Sequence, residues 1–258
     1  MRQHQVDCGD HAVDCLVYRP AHSGDSLPVV LFLHGGGGVM LSPEDFDATS
    51  RMLADQIGAL VVVPRYRLAP EHPFPQPLDD CLAVHRWLAV NVGSWGGDPT
   101  RIAVTGDSAG GYLAAAVVQD AIREGTPTPV AQALLYPMLD MAGAAPSRFD
   151  REAFVTHEGL LATIALHFGD KVLDPRASPL RAPDLSGIPQ TLIITVDTDP
   201  LIDEGRAYAH RLRAAGVCVS YFCYEGQVHG FFSFGGAMDE GNRCVAHVAS
   251  WLRLALFD

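Results

Sequence analysis

Residues 106–111 read Gly-Asp-Ser-Ala-Gly-Gly. They follow an apolar run, Arg101–Thr105, and precede a helix-like run, Tyr112–Arg123. A serine on so tight a strand-to-helix turn is held out of the backbone, with a helix N-terminus beneath it. Gly106 and Gly110 flank Ser108 because side chains there would collide as the strand doubles back. The N–H of Ala109, in the first helical turn, has no intrahelical partner. It can stabilise negative charge forming beside Ser108. The chemistry this spacing allows is attack by a hydroxyl on an acyl carbon.

A hydroxyl near neutral pH needs a base within hydrogen-bond reach. Among 11 histidines, His229 stands out, in a loop Gly226-Gln227-Val228-His229-Gly230-Phe231 just past a strand-like run. The rival reading is a loop histidine serving structure or solvent. His85 and His247 sit within helix-like runs and are expected to pack. His4, His11 and His22 flank the edge strands and are expected in solvent. The base in turn needs an acid to fix its tautomer. Asp197, Asp199 and Asp203 compete, all after the strand Thr191–Val196. Asp203 and Glu204 open the next helix, where carboxylates serve as caps. Asp197 is nearest the strand end, and Asp199 sits on the loop crest before a proline that holds it extended. The residues alone leave this choice open. The chain order serine, acid, histidine suits an α/β hydrolase with any of them.

The loop His34-Gly35-Gly36-Gly37-Gly38 follows the strand Val29–Leu33. Consecutive glycines let backbone N–H groups turn toward one point. A phosphate cradle is the rival reading, but no Gly-x-x-x-x-Gly-Lys follows, and Met40 stands where a Gly-x-Gly-x-x-Gly pattern begun at Gly35 would need its last glycine. With Ser108 elsewhere in the chain, an oxyanion pocket is the better account. His34 is read as an anchor of the loop.

Strand-like and helix-like runs alternate on either side of these residues. Val6–Cys8 and Val13–Tyr18 suggest an antiparallel edge pair. Glu44–Ile57 reads as a helix, Leu60–Val63 as a strand, Leu78–Val92 as a helix and Val130–Tyr136 as a strand. After residue 187 come the strand Thr191–Val196, the helix Glu204–Ala214, the strand Val217–Tyr224 and the helix Glu240–Leu256. Such alternation predicts an α/β fold with a mostly parallel central sheet, an antiparallel N-terminal edge and helices on both faces. Ligands then sit at the carboxyl ends of the strands. Residues 138–187 break the rhythm, with scattered prolines and one helical stretch, Glu158–Phe168. They are expected to form a cap insertion within a single catalytic domain, 1–258.

Eighteen basic against 30 acidic residues give a net charge of −12. That argues against nucleic acid or an anionic membrane surface as partner. No stretch approaches the ~18 apolar residues of a membrane span. The opening residues lack an apolar core, so no signal peptide is expected and the expected location is the cytoplasm. The six cysteines contain no Cys-x-x-Cys pair and are read as reduced core thiols. Nothing in the pattern requires a metal or cofactor.

Together these segments resemble the hormone-sensitive-lipase-like esterases of the α/β-hydrolase fold, from about Leu27 to the C-terminus. His34-Gly35-Gly36-Gly37 is similar to the family's oxyanion motif, and the run from Tyr66 to Pro75 to its proline-rich signature. Asp98-Pro99-Thr100-Arg101-Ile102 leads into the nucleophile motif. Asp199-Pro200-Leu201-Ile202-Asp203-Glu204 and His229-Gly230-Phe231 match the acid and base motifs. The resemblance implies Asp199 as the acid and Gly36, Gly37 and Ala109 as oxyanion donors. It implies a scaffold role for Tyr66–Pro75, braced by Arg67 with Glu71. The implied activity is hydrolysis of small, short-chain acyl esters through an acyl-enzyme. The alternatives are an amidase or peptidase of the same fold, and a small-molecule-binding protein without catalysis. Many relatives dimerise, though no exposed stripe in the sequence shows that pairing. Two departures bear on the pocket. The oxyanion motif starts at residue 34, leaving little N-terminal chain for a cap, so a reduced cap and an open pocket are expected. Gly38-Val39 and Phe46-Asp47 depart from the usual residues on the alcohol side. Val39, Met40, Tyr112, Leu201 and Phe231 are candidate pocket contacts by proximity to the motifs.

Overall fold

The computed structural model describes residues 1–9, 11–21, 24–151 and 154–257. The reading of His22 therefore lies outside the described residues. In chain order the elements are β1 (Arg2–Asp7), β2 (Ala12–Tyr18), β3 (Leu27–Leu33), α1 (Asp47–Ile57), β4 (Leu60–Pro64), α2 (Gln76–Asn91), β5 (Gly97–Asp107) and α3 (Ala109–Glu124). There follow β6 (Ala131–Leu135), α4 (Ser147–Asp150), α5 (His157–Phe168), β7 (Gln190–Val196), α6 (Ile202–Ala214), β8 (Val219–Tyr224) and α7 (Asp239–Phe257).

Among the described residues, eight strands form one sheet in the order β1-β2-β4-β3-β5-β6-β7-β8. β1 pairs antiparallel with β2, and β2 antiparallel with β4. Every later pairing is parallel. The inner strands are apolar on both faces because both faces are covered. Side chains alternate across β3: Val29, Leu31 and Leu33 join the core under α2, α3 and α6, while Val30 and Phe32 join the core under α1 and α7. Parallel strands bring all their carboxyl ends to one rim. The loops after β3, β5, β7 and β8, which hold the four candidate segments, therefore meet there. No helix among the described residues is long and apolar enough to cross a membrane.

The edge departs from expectation in detail. His11 is held by a contact of Nε2 with the buried carboxylate of Asp80, at 2.7 Å, rather than free in solvent. The His4 ring packs at a tilt against Trp95. Arg67 turns to the same Asp80, donating from Nε and Nη2, while Glu71 is exposed. Asp80 is fully buried one helical turn into α2, where an unmatched carboxylate would be costly. It draws the guanidinium inward. The six cysteines are free thiols. Cys218 is exposed rather than in the core.

Candidate active site

Ser108 stands between β5 and α3 at φ 56°, ψ −119°, a left-handed backbone that serine rarely adopts. Close packing enforces that turn. A β-carbon at Gly106 would collide with the carbonyl of Gly110, and one at Gly110 with the carbonyl of Leu33. The strained corner leaves the Ser108 side chain on the rim.

His229 Nε2 lies 2.7 Å from Ser108 Oγ, and its Nδ1 lies 2.7 Å from Asp199 Oδ2. A carboxylate only accepts, so Nδ1 carries the proton and Nε2 is left to accept from the hydroxyl. Asp199 is buried, and its Oδ1 accepts from the Leu201 N–H at 2.9 Å. The rim loops are tied together on either side of this contact. Asp197 accepts from the Gly226 N–H, and Thr198 donates to the Gln227 carbonyl. The Tyr136 ring packs on the imidazole at 4.6 Å. Of the three competing aspartates, Asp199 reaches His229. Asp197 is spent on the loop backbone, and Asp203 accepts from the Ser147 N–H.

Glu204 lies in the first turn of α6 as expected, and it is also a buried anchor, accepting from the N–H groups of Leu139 and Asp140 and from Arg148. It fastens the 140–150 stretch to the start of α6, immediately beyond the acid loop.

The glycine loop folds back on itself. Gly36, Gly37 and Gly38 all have positive φ, at 107°, 70° and 72°. The Gly36 carbonyl accepts from the N–H groups of Val39 and Met40. Gly35 donates its N–H to Asp107 Oδ1 at 2.9 Å. Among the described hydrogen bonds none uses the N–H of Gly36 or Gly37, and Ala109 opens α3, so its N–H has no acceptor within the helix. His34 is buried and stacked on Tyr66, whose hydroxyl donates to the His34 carbonyl. Burial drives its pKa down to about 4, which keeps the ring neutral as a loop anchor.

Asp107, next to Ser108, is a buried carboxyl that the sequence reading passed over. Burial raises its pKa to about 7, against the opposing pull of His229 and the Gly35 N–H. For His229, burial works to lower the pKa. The charge and hydrogen bond of Asp199, with the charge of Asp107, outweigh it and leave the ring more basic than usual.

A cavity of about 630 Å³ opens over Ser108. Met40 and Leu201 line it as expected; Val39, Tyr112 and Phe231 do not. Tyr112 bonds its N–H to the Ser108 carbonyl one turn into α3, so its ring goes under the helix against Phe168. Phe231 follows Gly230, whose φ of 85° turns the chain and sends the ring into the core beside Tyr224. Val39 is half-buried in the glycine turn. The rest of the wall comes from the stretch read as a cap insertion, through residues the sequence did not single out: Met138, Phe154, Val155, Leu160 and Thr163. No short-range pattern marks them, because they meet the site only through the tertiary fold.

A mainly parallel sheet that brings an alcohol, an imidazole and a carboxylate into line at its carboxyl rim defines a hydrolase of the α/β class. Comparison with known proteins narrows the class. A family profile described as alpha/beta hydrolase fold matches residues 30–233. The carboxylesterase NlhH of Mycobacterium tuberculosis is 40% identical over 228 residues, covering 84% of this chain and 70% of that protein. The ethyl acetate hydrolase of Pseudomonas putida is 34% identical over 251 residues, covering 94% of this chain and 79% of that one. The structure of a hyperthermophilic esterase from the archaeon Pyrobaculum calidifontis superposes with a TM-score of 0.95 at 37% identity, covering 99% of this chain and 86% of that one. The chain belongs to the α/β-hydrolase family, among the esterases that resemble hormone-sensitive lipase. It is a serine carboxylic ester hydrolase.

Proposed function

We propose that this esterase cleaves small, short-chain acyl esters through an acyl-enzyme on Ser108. The observation that carries the reading is the unbroken relay Ser108–His229–Asp199, with 2.7 Å at each contact, beside glycine N–H groups that take no partner among the described residues. Ser108 Oγ attacks the ester carbonyl while His229 Nε2 takes its proton. Asp199 holds the ring and stabilises its cationic form. The carbonyl oxygen becomes an oxyanion facing the N–H groups of Gly36, Gly37 and Ala109, where each donor is worth roughly 2.7–4 kcal/mol. His229 then protonates the departing alcohol. Water, activated by the same imidazole, releases the acid and restores Ser108. The 138–187 segment acts as the cap. A cavity of about 630 Å³ suits a small ester, and ethyl acetate, named for the Pseudomonas putida relative, is of that size.

Two measurements test this. A fluorophosphonate probe should label Ser108, and p-nitrophenyl esters should be turned over fastest at acetate to butyrate, with the matched anilides slow. Failure to label would leave a binding protein. A peak at long acyl chains would mean a lipid-sized site, and comparable anilide turnover an amidase.

The pH profile carries a second expectation. The base must be neutral to work, and its pKa is raised above 6.5. Activity should therefore fall as pH drops through a midpoint above 6.5. Asp107→Asn removes a negative charge that favours the imidazolium, yet its amide oxygen can still accept from Gly35. The midpoint of kcat/KM should move to lower pH in that variant. An unchanged midpoint would mean that Asp107 is not felt at His229.

A further inference from the structure

The glycine loop is gripped by a histidine for which the reaction has no use. His167, in the last turn of α5, is 1% exposed. Its Nδ1 lies 3.0 Å from the Gly37 carbonyl oxygen. A carbonyl only accepts, so Nδ1 carries the proton. Burial lowers the pKa to about 4 despite the bond to Gly37, so the ring is neutral where the enzyme works. The ring is clamped from several sides. It stacks on Phe168 at 4.0 Å and meets the Tyr112 ring edge-on at 6.1 Å. The carbonyl of His167 accepts from the Phe74 N–H in the proline-rich loop, at 2.8 Å. A β-carbon on Gly38 would run into the imidazole.

Each peptide of this loop is pinned by its carbonyl. In a trans peptide the N–H points opposite to the C=O, so holding one aims the other. The Gly35 carbonyl takes a bond from His34 Nδ1, which aims the Gly36 N–H. The Gly36 carbonyl takes bonds from Val39 and Met40, which aims the Gly37 N–H. The Gly38 carbonyl takes one from Ala69. The peptide between Gly37 and Gly38 is pinned by His167, from a different part of the chain. Glycine at φ 70° has little torsional preference of its own, so that bond sets the ψ of Gly37.

We infer that His167 is a positioning residue for the anion pocket: its Nδ1–H fixes the Gly37–Gly38 peptide, and because Val39 and Met40, just beyond that peptide, hold the Gly36 carbonyl, it ties the whole turn that carries the Gly37 N–H to α5, which walls the cleft. This rests on the reading of Gly36 and Gly37 as oxyanion donors. α5 carries Leu160 and Thr163 on the cavity wall, so substrate packed against the cap bears on the donors through one hydrogen bond.

The test compares His167→Phe, which keeps a ring without a donor, with His167→Asn, whose amide N–H can reach the same carbonyl. Since one oxyanion donor is worth on the order of 10²–10³ in kcat, misaligning one in the phenylalanine variant should cost roughly 10–100-fold in kcat with KM nearly constant. Affinity for a trifluoromethyl ketone, which adds to the serine as a tetrahedral adduct, should fall in step. The asparagine variant should recover most of the loss. In wild-type enzyme labelled with 15N-histidine, His167 should show the neutral Nδ1–H tautomer, a readout that needs no variant to fold. A phenylalanine variant with wild-type kcat, an asparagine variant as impaired as the phenylalanine one, or an Nε2–H tautomer would overturn the inference. A dead Ser108→Ala beside a fully active His167→Phe would sink this inference alone; an active Ser108→Ala would sink the reaction scheme beneath it.

Discussion

Ser108→Ala should lower kcat for p-nitrophenyl acetate by a factor on the order of 10⁶, the scale on which removal of a serine nucleophile acts in such relays. The size of the effect follows from the covalent step. Without Oγ no acyl-enzyme forms, and the residue of catalysis is what the anion pocket and binding can extract from water. The fold should survive. Alanine keeps the β-carbon, so the backbone strain at φ 56° is the same in both proteins. The one side-chain hydrogen bond lost is to His229 Nε2 on the half-exposed rim. A single bond of this kind contributes about 1 kcal/mol net, which for a domain of this size shifts Tm by about 2–4 °C. Steady-state kinetics with a thermal melt in parallel decide the matter. A variant that melts normally and retains more than a trace of turnover would refute a serine mechanism.

The rim was legible because its residues are local. Ser108 and its glycines announce themselves by spacing, and the reason is steric: Gly106 and Gly110 sit where carbonyls pass too close for a side chain. Strand and helix order was legible for a similar reason, since a sheet covered on both faces must read as short apolar runs. Boundaries slipped where turn chemistry outweighed periodicity. α2 starts at Gln76, with Pro77 in its first turn, ahead of the apolar stripe that begins at Leu78. β5 starts at Gly97, before its apolar core, because Gly97 pairs with Leu27. Relations between distant segments were not legible. Arg67 finds Asp80 rather than Glu71, although Glu71 is nearer in the chain. Glu204 looks like a helix cap in sequence and is a buried tie to Arg148 in space. Pocket contacts chosen by chain proximity failed at Tyr112 and Phe231, where helix geometry and a glycine turn direct the rings inward. His167 and Asp107 had no local signature at all, since each matters through a backbone group more than 70 positions away.

Asp199→Asn and Asp203→Asn should part by orders of magnitude, and the reason lies in which oxygens are occupied. Asp199 Oδ1 takes the Leu201 N–H while Oδ2 faces His229 Nδ1. An asparagine must keep its carbonyl oxygen on Leu201 or turn it to the imidazole. If it serves Leu201, the amide N–H faces Nδ1 and drives the ring to the Nε2–H tautomer, which cannot accept the Ser108 proton. If it turns, the acid loop loses its tie to the Leu201 N–H, and in either case the negative charge that stabilised the imidazolium is gone. The loss in kcat/KM should be roughly 10⁴-fold, as for other carboxylates that orient a catalytic imidazole. Asp203 holds only the Ser147 N–H through Oδ2, with a looser 3.6 Å approach of Arg206 to Oδ1, and it is partly exposed. An amide oxygen can accept that N–H unchanged, so Asp203→Asn should stay within about fivefold of wild type, the cost of one weakened hydrogen bond of about 1 kcal/mol. Parallel kcat/KM determinations on p-nitrophenyl acetate at pH 8 separate the two. The opposite ranking would transfer the acid to Asp203 and require the loop between β7 and α6 to rearrange before catalysis.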